Sequence, residues 1–361
     1  DSLSNRVCLG VYGGIPAYGR CAYVAAIGSF WCAYMISERL INLTVLAGLV
    51  LVPLWALAAD EIFTVTLTTR ALILALAAVG LNIALGIGGM VSFGHAVFFG
   101  LGGYAMGIIA FHAQTFTALE VGPFSISGTK SMPVIWLIAM LVSACAAWLI
   151  GALSLRTTGV YFIMITLAFG QMFYFFSISW GAYGGEDGLS IYVRNGFPGL
   201  NTLVPIQFFG LCFVALCVAL LLQWRLRSSP FGLALNAARQ SPERTATVGL
   251  NHKRLKLLAF VLSGAVTGLA GALFADLNRF VSPTMFSWQL SGELIVLIII
   301  GGVGRLMGPV IGASVFVALE HWLGGLTDFW HVWLGIILLF IVLFGRGGVI
   351  GLLTGRAGPH V

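Results

Sequence analysis

The chain has 361 residues, 59% hydrophobic and only 8% charged, with 18 Lys and Arg against 12 Asp and Glu. Its mean hydropathy is +1.01. Soluble domains carry roughly 25% charged residues, so this composition excludes a soluble enzyme or regulator and leaves a polytopic, all-α membrane bundle. The net charge of +6 does not point to nucleic acid, because the cations cluster between apolar stretches, as in loops facing the cytoplasm.

Residues 1–40 read as an N-terminal extension of unknown role. The apolar run from Cys21 to Ile36 is short and is flanked by Arg20, Glu38 and Arg39; it fits a cleaved signal, an extra span or a start-site artefact. Cys8, Cys21 and Cys32 have no metal-type spacing. From residue 41 the pattern gives ten spans, near 41–59, 64–86, 95–111, 133–155, 158–179, 203–224, 258–278, 289–303, 309–325 and 329–345. They form a permease-like domain over 41–345, followed by a cytoplasmic tail at 346–361.

Two glycine-rich stretches interrupt the spans. One runs from Gly86 to His95 and includes Ser92, Phe93 and Gly94; the other runs from Gly301 and Gly302 through Gly304 and Arg305 to Gly308-Pro309. Unwound backbone at membrane depth is tolerated where it is buried in protein or lines a cavity. Paired interruptions point to a transport path, and two tight turns fit equally. Ser92, Phe93, Gly94, His95, Gly301, Gly302 and Gly304 are therefore candidate path residues. His95, Asp276, Glu293, Glu320 and His321 are ionisable groups within spans, which are costly there and so candidates for function or for satisfied structural pairs. Gly264, Gly268 and Gly271 give the seventh span a small-residue packing face.

The outer loop Trp180–Gly188 is glycine-rich and carries Glu186 and Asp187. It reads as a solvated turn or as a contact for an external protein. Asn195, further along the same loop, is expected to be accessible from outside.

The most informative stretch is the basic loop 225–257. It holds Arg225, Arg227, Arg239, Arg244, Lys253, Arg254 and Lys256 against one acid, Glu243. Ser229-Pro230 and Ser241-Pro242 each predict a helix start, with Ser as N-cap and Pro at the first helical position. Glu243 then sits in the first turn of the second helix, where the helix dipole favours it, and Gly249 supplies a left-handed end. Two short helices in one basic loop form either a connector or a docking surface. Placing this loop inside fixes the other sides by alternation. Arg6, Arg20, Arg39, Arg156, Arg305, Arg346 and Arg356 join its seven cations inside, and Arg70, Lys130, Arg194 and Arg279 fall outside.

Missing motifs narrow the function. Without a GxxxxGK[ST] phosphate loop the chain is not expected to hydrolyse ATP. Without HExxH or clustered His and Cys, neither metal nor cofactor is expected, and no catalytic set emerges from the spacing.

Taken in order, several stretches resemble the permease subunits of bacterial branched-chain amino acid ABC importers of the LIV type. They are Gly80-Leu-Asn82, the run Ser92–Gly100, Gly103-Tyr104, Arg156 with Gly159–Phe162, Thr166–Phe169 and Gly184–Leu189. The basic loop follows through Phe231-Gly232, Glu243, Gly249 and Lys256–Phe260. Last come Ser282-Pro283, Phe286, Ser291, Glu293, Gly301–Gly304 and Gly308–Ala313.

The resemblance covers about 40–345 and implies an inner-membrane transport subunit that is not itself an enzyme. It also implies a second homologous permease, two cytoplasmic ABC ATPases and a periplasmic solute-binding protein as partners, with membrane lipid and no nucleic acid. On this reading Ser241, Glu243, Arg244 and Gly249 belong to the helix that couples to an ATPase. The acidic Glu186-Asp187 pair, and the likeness of urea and short-amide permeases, leave urea or amide uptake as the alternative. An ion-coupled carrier or channel is the reading from another class.

Overall fold

In a computed structural model, residues 44–116, 118–121, 124–192, 194–326, 329–344, 348 and 351 are described. The extension 1–40 and most of the tail 346–361 lie outside the described residues. The chain divides into a unit at 1–47 and a larger unit at 48–361, and the account below concerns the larger one.

Each expected span is a helix, in chain order: α1 (Thr44–Ala58), α2 (Ile62–Asn82), α3 (His95–Thr115), α4 (Met132–Ser154) and α5 (Val160–Ser179). The series continues with α6 (Pro205–Ser228), the short α7 (Pro230–Gln240) and α8 (Pro242–Thr247), and α9 (His252–Asn278). It closes with α10 (Trp288–Gly301), α11 (Gly308–Leu326) and α12 (Trp330–Phe344). Among the described residues, seven helices are long and apolar enough to cross a membrane, while α1, α10 and α12 are shorter.

Burial sorts these helices into an inner and an outer set. An evenly apolar helix is a buried one, and α2 is the clearest case: Leu72, Ile73, Leu76, Ala77, Ala78, Val79, Gly80, Leu81 and Asn82 are all buried. It packs on α6, α9 and α11, and α9 in turn packs on α3 and α4. Small residues let these backbones meet. A Cβ on Gly268 would strike the Ser143 side chain of α4, and one on Gly271 would strike the Phe99 carbonyl of α3. The packing face expected from Gly264, Gly268 and Gly271 is thus the contact between α9 and its neighbours.

By contrast, α4, α5, α6 and α12 turn large apolar side chains outward, among them Leu137, Trp148, Tyr161, Phe175, Val218 and Trp333. Those faces suit hydrocarbon.

Strand structure is slight. A hairpin pairs β1 (Ala118–Val121) with β2 (Phe124–Ser127), and β3 (Leu189–Ser190) pairs with β4 (Phe280–Val281). The second pair ties the outer loop to the end of α9. Neither was visible in the sequence pattern.

Candidate coupling and path site

The basic loop folds as its Ser-Pro pairs predict. Ser229 caps α7, its side chain accepting from Gly232 N–H at 3.2 Å. Ser241 stands in extended geometry before α8, but its side chain makes no cap bond. Gly249 follows with φ 85°, the left-handed conformation in which a β-carbon is disfavoured.

The two helices differ in anchoring. Leu235 and Ala238 of α7 are buried, and Leu235 joins the core cluster of Ala84, Ile87, Met90, Phe98, Phe162 and Phe260. In α8 only Thr245 is buried. Glu243, Arg244, Val248 and Gly249 are exposed, and the Glu243 and Arg244 side chains have no partner among the described residues. One helix is held by the core, and the other is offered to whatever lies outside.

Both glycine interruptions come to this end of the bundle. After Asn82 the second span winds into a π-helical turn, Ile83–Ile87, then opens at Gly89 with φ 68°. The turn between α10 and α11 carries Gly302 at φ 111° and Gly304 at φ 75°. The two stretches meet. Asn82 Nδ2 donates to the Arg305 carbonyl at 3.0 Å, and its Oδ1 accepts from Gly304 N–H at 3.2 Å. A Cβ on Gly86 would strike Asn82 and the Gly304 backbone.

Two arginines of the basic loop fasten to the same turns. Arg227 donates to the Gly304 carbonyl at 2.9 Å, and Arg239 donates to the Gly86 carbonyl at 2.8 Å. Each gives a buried or partly buried carbonyl a charged donor, among the stronger hydrogen bonds available. Arg239 lies on α7 and Arg227 on the last turn of α6, so α7 is tied to the end of α2 and α6 to the turn after α10.

The other candidate path residues lie in the protein interior. Ser92 and His95 are fully buried. Ser92 Oγ accepts from Gly94 N–H at 3.2 Å, and Phe93 N–H donates to Thr166 Oγ1 of α5 at 3.3 Å. Ser263 Oγ donates to the Gly80 carbonyl at 2.6 Å and lies 2.7 Å from His95 Nε2. The serine has a single proton, and it goes to Gly80, so Nε2 carries the proton of the second contact. Ser291 of α10 accepts from Ala96 N–H at 2.9 Å, satisfying an amide in the first turn of α3. Gly80, Thr166 and Ser291, scattered in sequence, thus converge on the start of α3. Ser263 completes the set and had no sequence signal of its own.

The remaining ionisable groups gather toward the far end. Asp276 is buried, accepting from Asn195 N–H and Nδ2 at 3.3 and 3.4 Å. Arg194 donates to the Asp276, Leu277 and Thr202 carbonyls and lies over the Phe208 ring at 4.4 Å. A cation at the C-terminus of α9 also meets the favourable end of its dipole. Asn195, expected to be accessible, is buried because it is a partner of Asp276.

Glu320 pairs with Arg70 at 2.9 Å, joining α11 to α2. A cavity of about 420 Å³ opens there, lined by Arg70, Glu320 and His321. Glu293 of α10 is partly buried. A second cavity of about 260 Å³ lies between Gln171, Tyr174, Trp288 and Gln289.

Residues 63–345 match the family described as the permease component of the branched-chain amino acid transport system. The chain belongs to this family. The permease is 26% identical to the high-affinity branched-chain amino acid transport system permease protein LivM of Escherichia coli K12, over 80% of this chain and 70% of that one. It is 27% identical to the probable branched-chain amino acid transport permease protein LivH of Methanocaldococcus jannaschii, over 53% of this chain and 62% of the other. The ribose import permease protein RbsC of Bacillus subtilis is 27% identical over 44% of this permease and 55% of its own length. No solved structure matches it with significance.

Proposed function

We propose that this permease is the membrane subunit through which a bacterial ABC importer carries branched-chain amino acids across the inner membrane. Two cytoplasmic ATPases would drive it, alongside a second homologous permease and a periplasmic solute-binding protein. The observation that carries the reading is the contrast within the basic loop: α8 is exposed, while α7 is held by the core and bonded to the Gly86 turn, and the end of α6 beside it is bonded to the Gly304 turn. A partner that grips Ser241, Glu243, Arg244 and the turn at Gly249 would move α7 and the adjoining end of α6 with it. Through Arg227 and Arg239 that motion would reach Gly86 and Gly304, next to the proposed path residues Gly301, Gly302 and Ser92 to His95.

The ends of the bundle support the proposed orientation. Among the described residues, the loops assigned to the inside near 83–94, 155–159, 229–251 and 302–307 meet at the α7–α8 end, while Arg194, Arg279 and the β3–β4 pair lie at the other. The likeness to LivM favours branched-chain amino acids, and likeness to a ribose permease over a shorter stretch marks how far the family's solutes range.

The test is uptake by vesicles holding this chain with two ABC ATPases, a second permease and a binding protein from the same organism. Leucine accumulation that requires ATP, and that excess urea leaves unchanged, is the expected result. Accumulation of urea in place of leucine would move the assignment to the amide-type relatives. Accumulation by this chain alone, driven by an ion gradient, would overturn the ABC reading.

A further inference from the structure

One cavity at the basic-loop end lies beside the Gly86–His95 stretch, whose Gly89, Met90 and Val91 form part of its lining. It measures about 280 Å³ and lies between the first turns of α5 and α9. Thr157, Thr158 and Phe162 line it on one side, and His252, Lys253 and Lys256 on the other. No carboxylate is among its lining residues. Neither lysine ammonium has a hydrogen-bond or ion-pair partner among the described residues. Lys256 is partly buried, one turn inside α9, so its charge is drawn toward a membrane-facing wall with nothing to offset it. A cation so placed calls for an anion.

The rim shows which kind. Val160, which lines the cavity, is an exposed apolar side chain, and so are Tyr161 and Met164 in the same turns of α5, Leu153 at the end of α4 and Leu258 in the second turn of α9. A free inorganic anion would leave this rim unused, whereas a phospholipid would use both parts. Its phosphate would accept from the ammonium groups and threonine hydroxyls, and its acyl chains would lie along α5. A choline headgroup would bring a fixed cation to the lysines; a glycerol headgroup would not. Basic pockets between spans at the membrane surface are suited to anionic headgroups. We infer that this cavity binds the headgroup of an anionic phospholipid from the leaflet on the basic-loop side.

The full-length protein, delipidated in detergent, tests this by native mass spectrometry with phosphatidylglycerol, phosphatidylcholine and inorganic phosphate as probes. Phosphatidylglycerol is expected to bind at least tenfold more tightly than phosphatidylcholine. Lys253→Gln with Lys256→Gln should weaken it about 25-fold, at about fivefold per basic residue near an anionic surface. Thr158→Trp keeps the charges but fills the cavity, and should weaken both lipids. Lys130→Gln, a lysine at the far end, should change nothing. The lipid-free melting temperature of each variant checks folding. Equal binding of the two lipids would overturn the inference. So would a phosphatidylglycerol preference surviving the double lysine change, or inorganic phosphate competing at the lipid's own concentration.

Discussion

The two ends of the bundle are fastened in different ways. At the far end Arg194 reaches three backbone carbonyls around the C-terminus of α9, and Asp276 accepts twice from Asn195. These bonds fasten one loop to one helix end, across 81 to 83 residues of sequence for those that reach α9. At the basic-loop end the contacts run to two separate turns, Arg239 to Gly86 and Arg227 to Gly304, and both turns carry left-handed glycines. Around α9 the far end is a clamp, with the Arg70–Glu320 pair beside it, whereas the near end links α6 and α7 to the ends of α2 and α10. A clamp resists motion; a link between separate elements can pass it on.

The comparison can first be broken by showing that the ends are not on opposite sides of the membrane. In a variant lacking the native cysteines, Cys at Tyr192, 83% exposed, should label with an impermeant thiol reagent from outside. Cys at Val248, 78% exposed, should label only after permeabilisation. The effect is all or none, and reversed labelling would overturn the orientation.

Next in size is disruption of the fastenings. Gly301→Ala drives a Cβ into the Gly308 carbonyl, and backbone has little room to yield, so a loss of about 3 kcal/mol or more is expected. Arg194→Met removes a charged donor from three carbonyls, where one such bond is worth about 1.5–3 kcal/mol. Thermal unfolding in detergent should show the midpoint of both variants lowered by several degrees, and a negligible effect of either would show that its fastening does not hold the bundle.

The smallest effect separates the short helices. Ser229→Ala loses a formed cap and should cost about 1 kcal/mol, read as faster hydrogen exchange over 230–240. Ser241→Ala removes a side chain that makes no cap bond, so exchange over 242–247 should barely change. Equal acceleration in both segments would contradict the observed caps.

These results also mark what the sequence made legible. Span positions follow from apolar runs, and Ser-Pro pairs locate both short helices because capping is a local signal. The pairing of Gly86 with Gly304 is not local, and no pattern within either stretch names the other. His95 shows the same limit. A histidine in a span suggests function, but its contact with Ser263, and through it Gly80, depends on how α9 lies against α2 and α3. Asn195 was misjudged because a polar loop residue reads as solvated until Asp276 is known to lie beside it. The π turn after Asn82 likewise left only a glycine-rich signature.

The central claim is that α8 and its glycine end receive motion from an ATPase, and Gly249→Val tests it most directly. A Cβ there has open space around it, so the only cost is backbone conformation at φ 85°, strongly disfavoured for a β-branched residue. Gly210→Val in α6 is the matched control, also in open space and without a positive φ. At equal membrane abundance, the measurement is solute uptake together with binding-protein-stimulated ATP hydrolysis by the reconstituted importer. The account predicts that Gly249→Val lowers both severalfold while Gly210→Val leaves both near normal. Normal uptake and normal stimulation with Gly249→Val would contradict it.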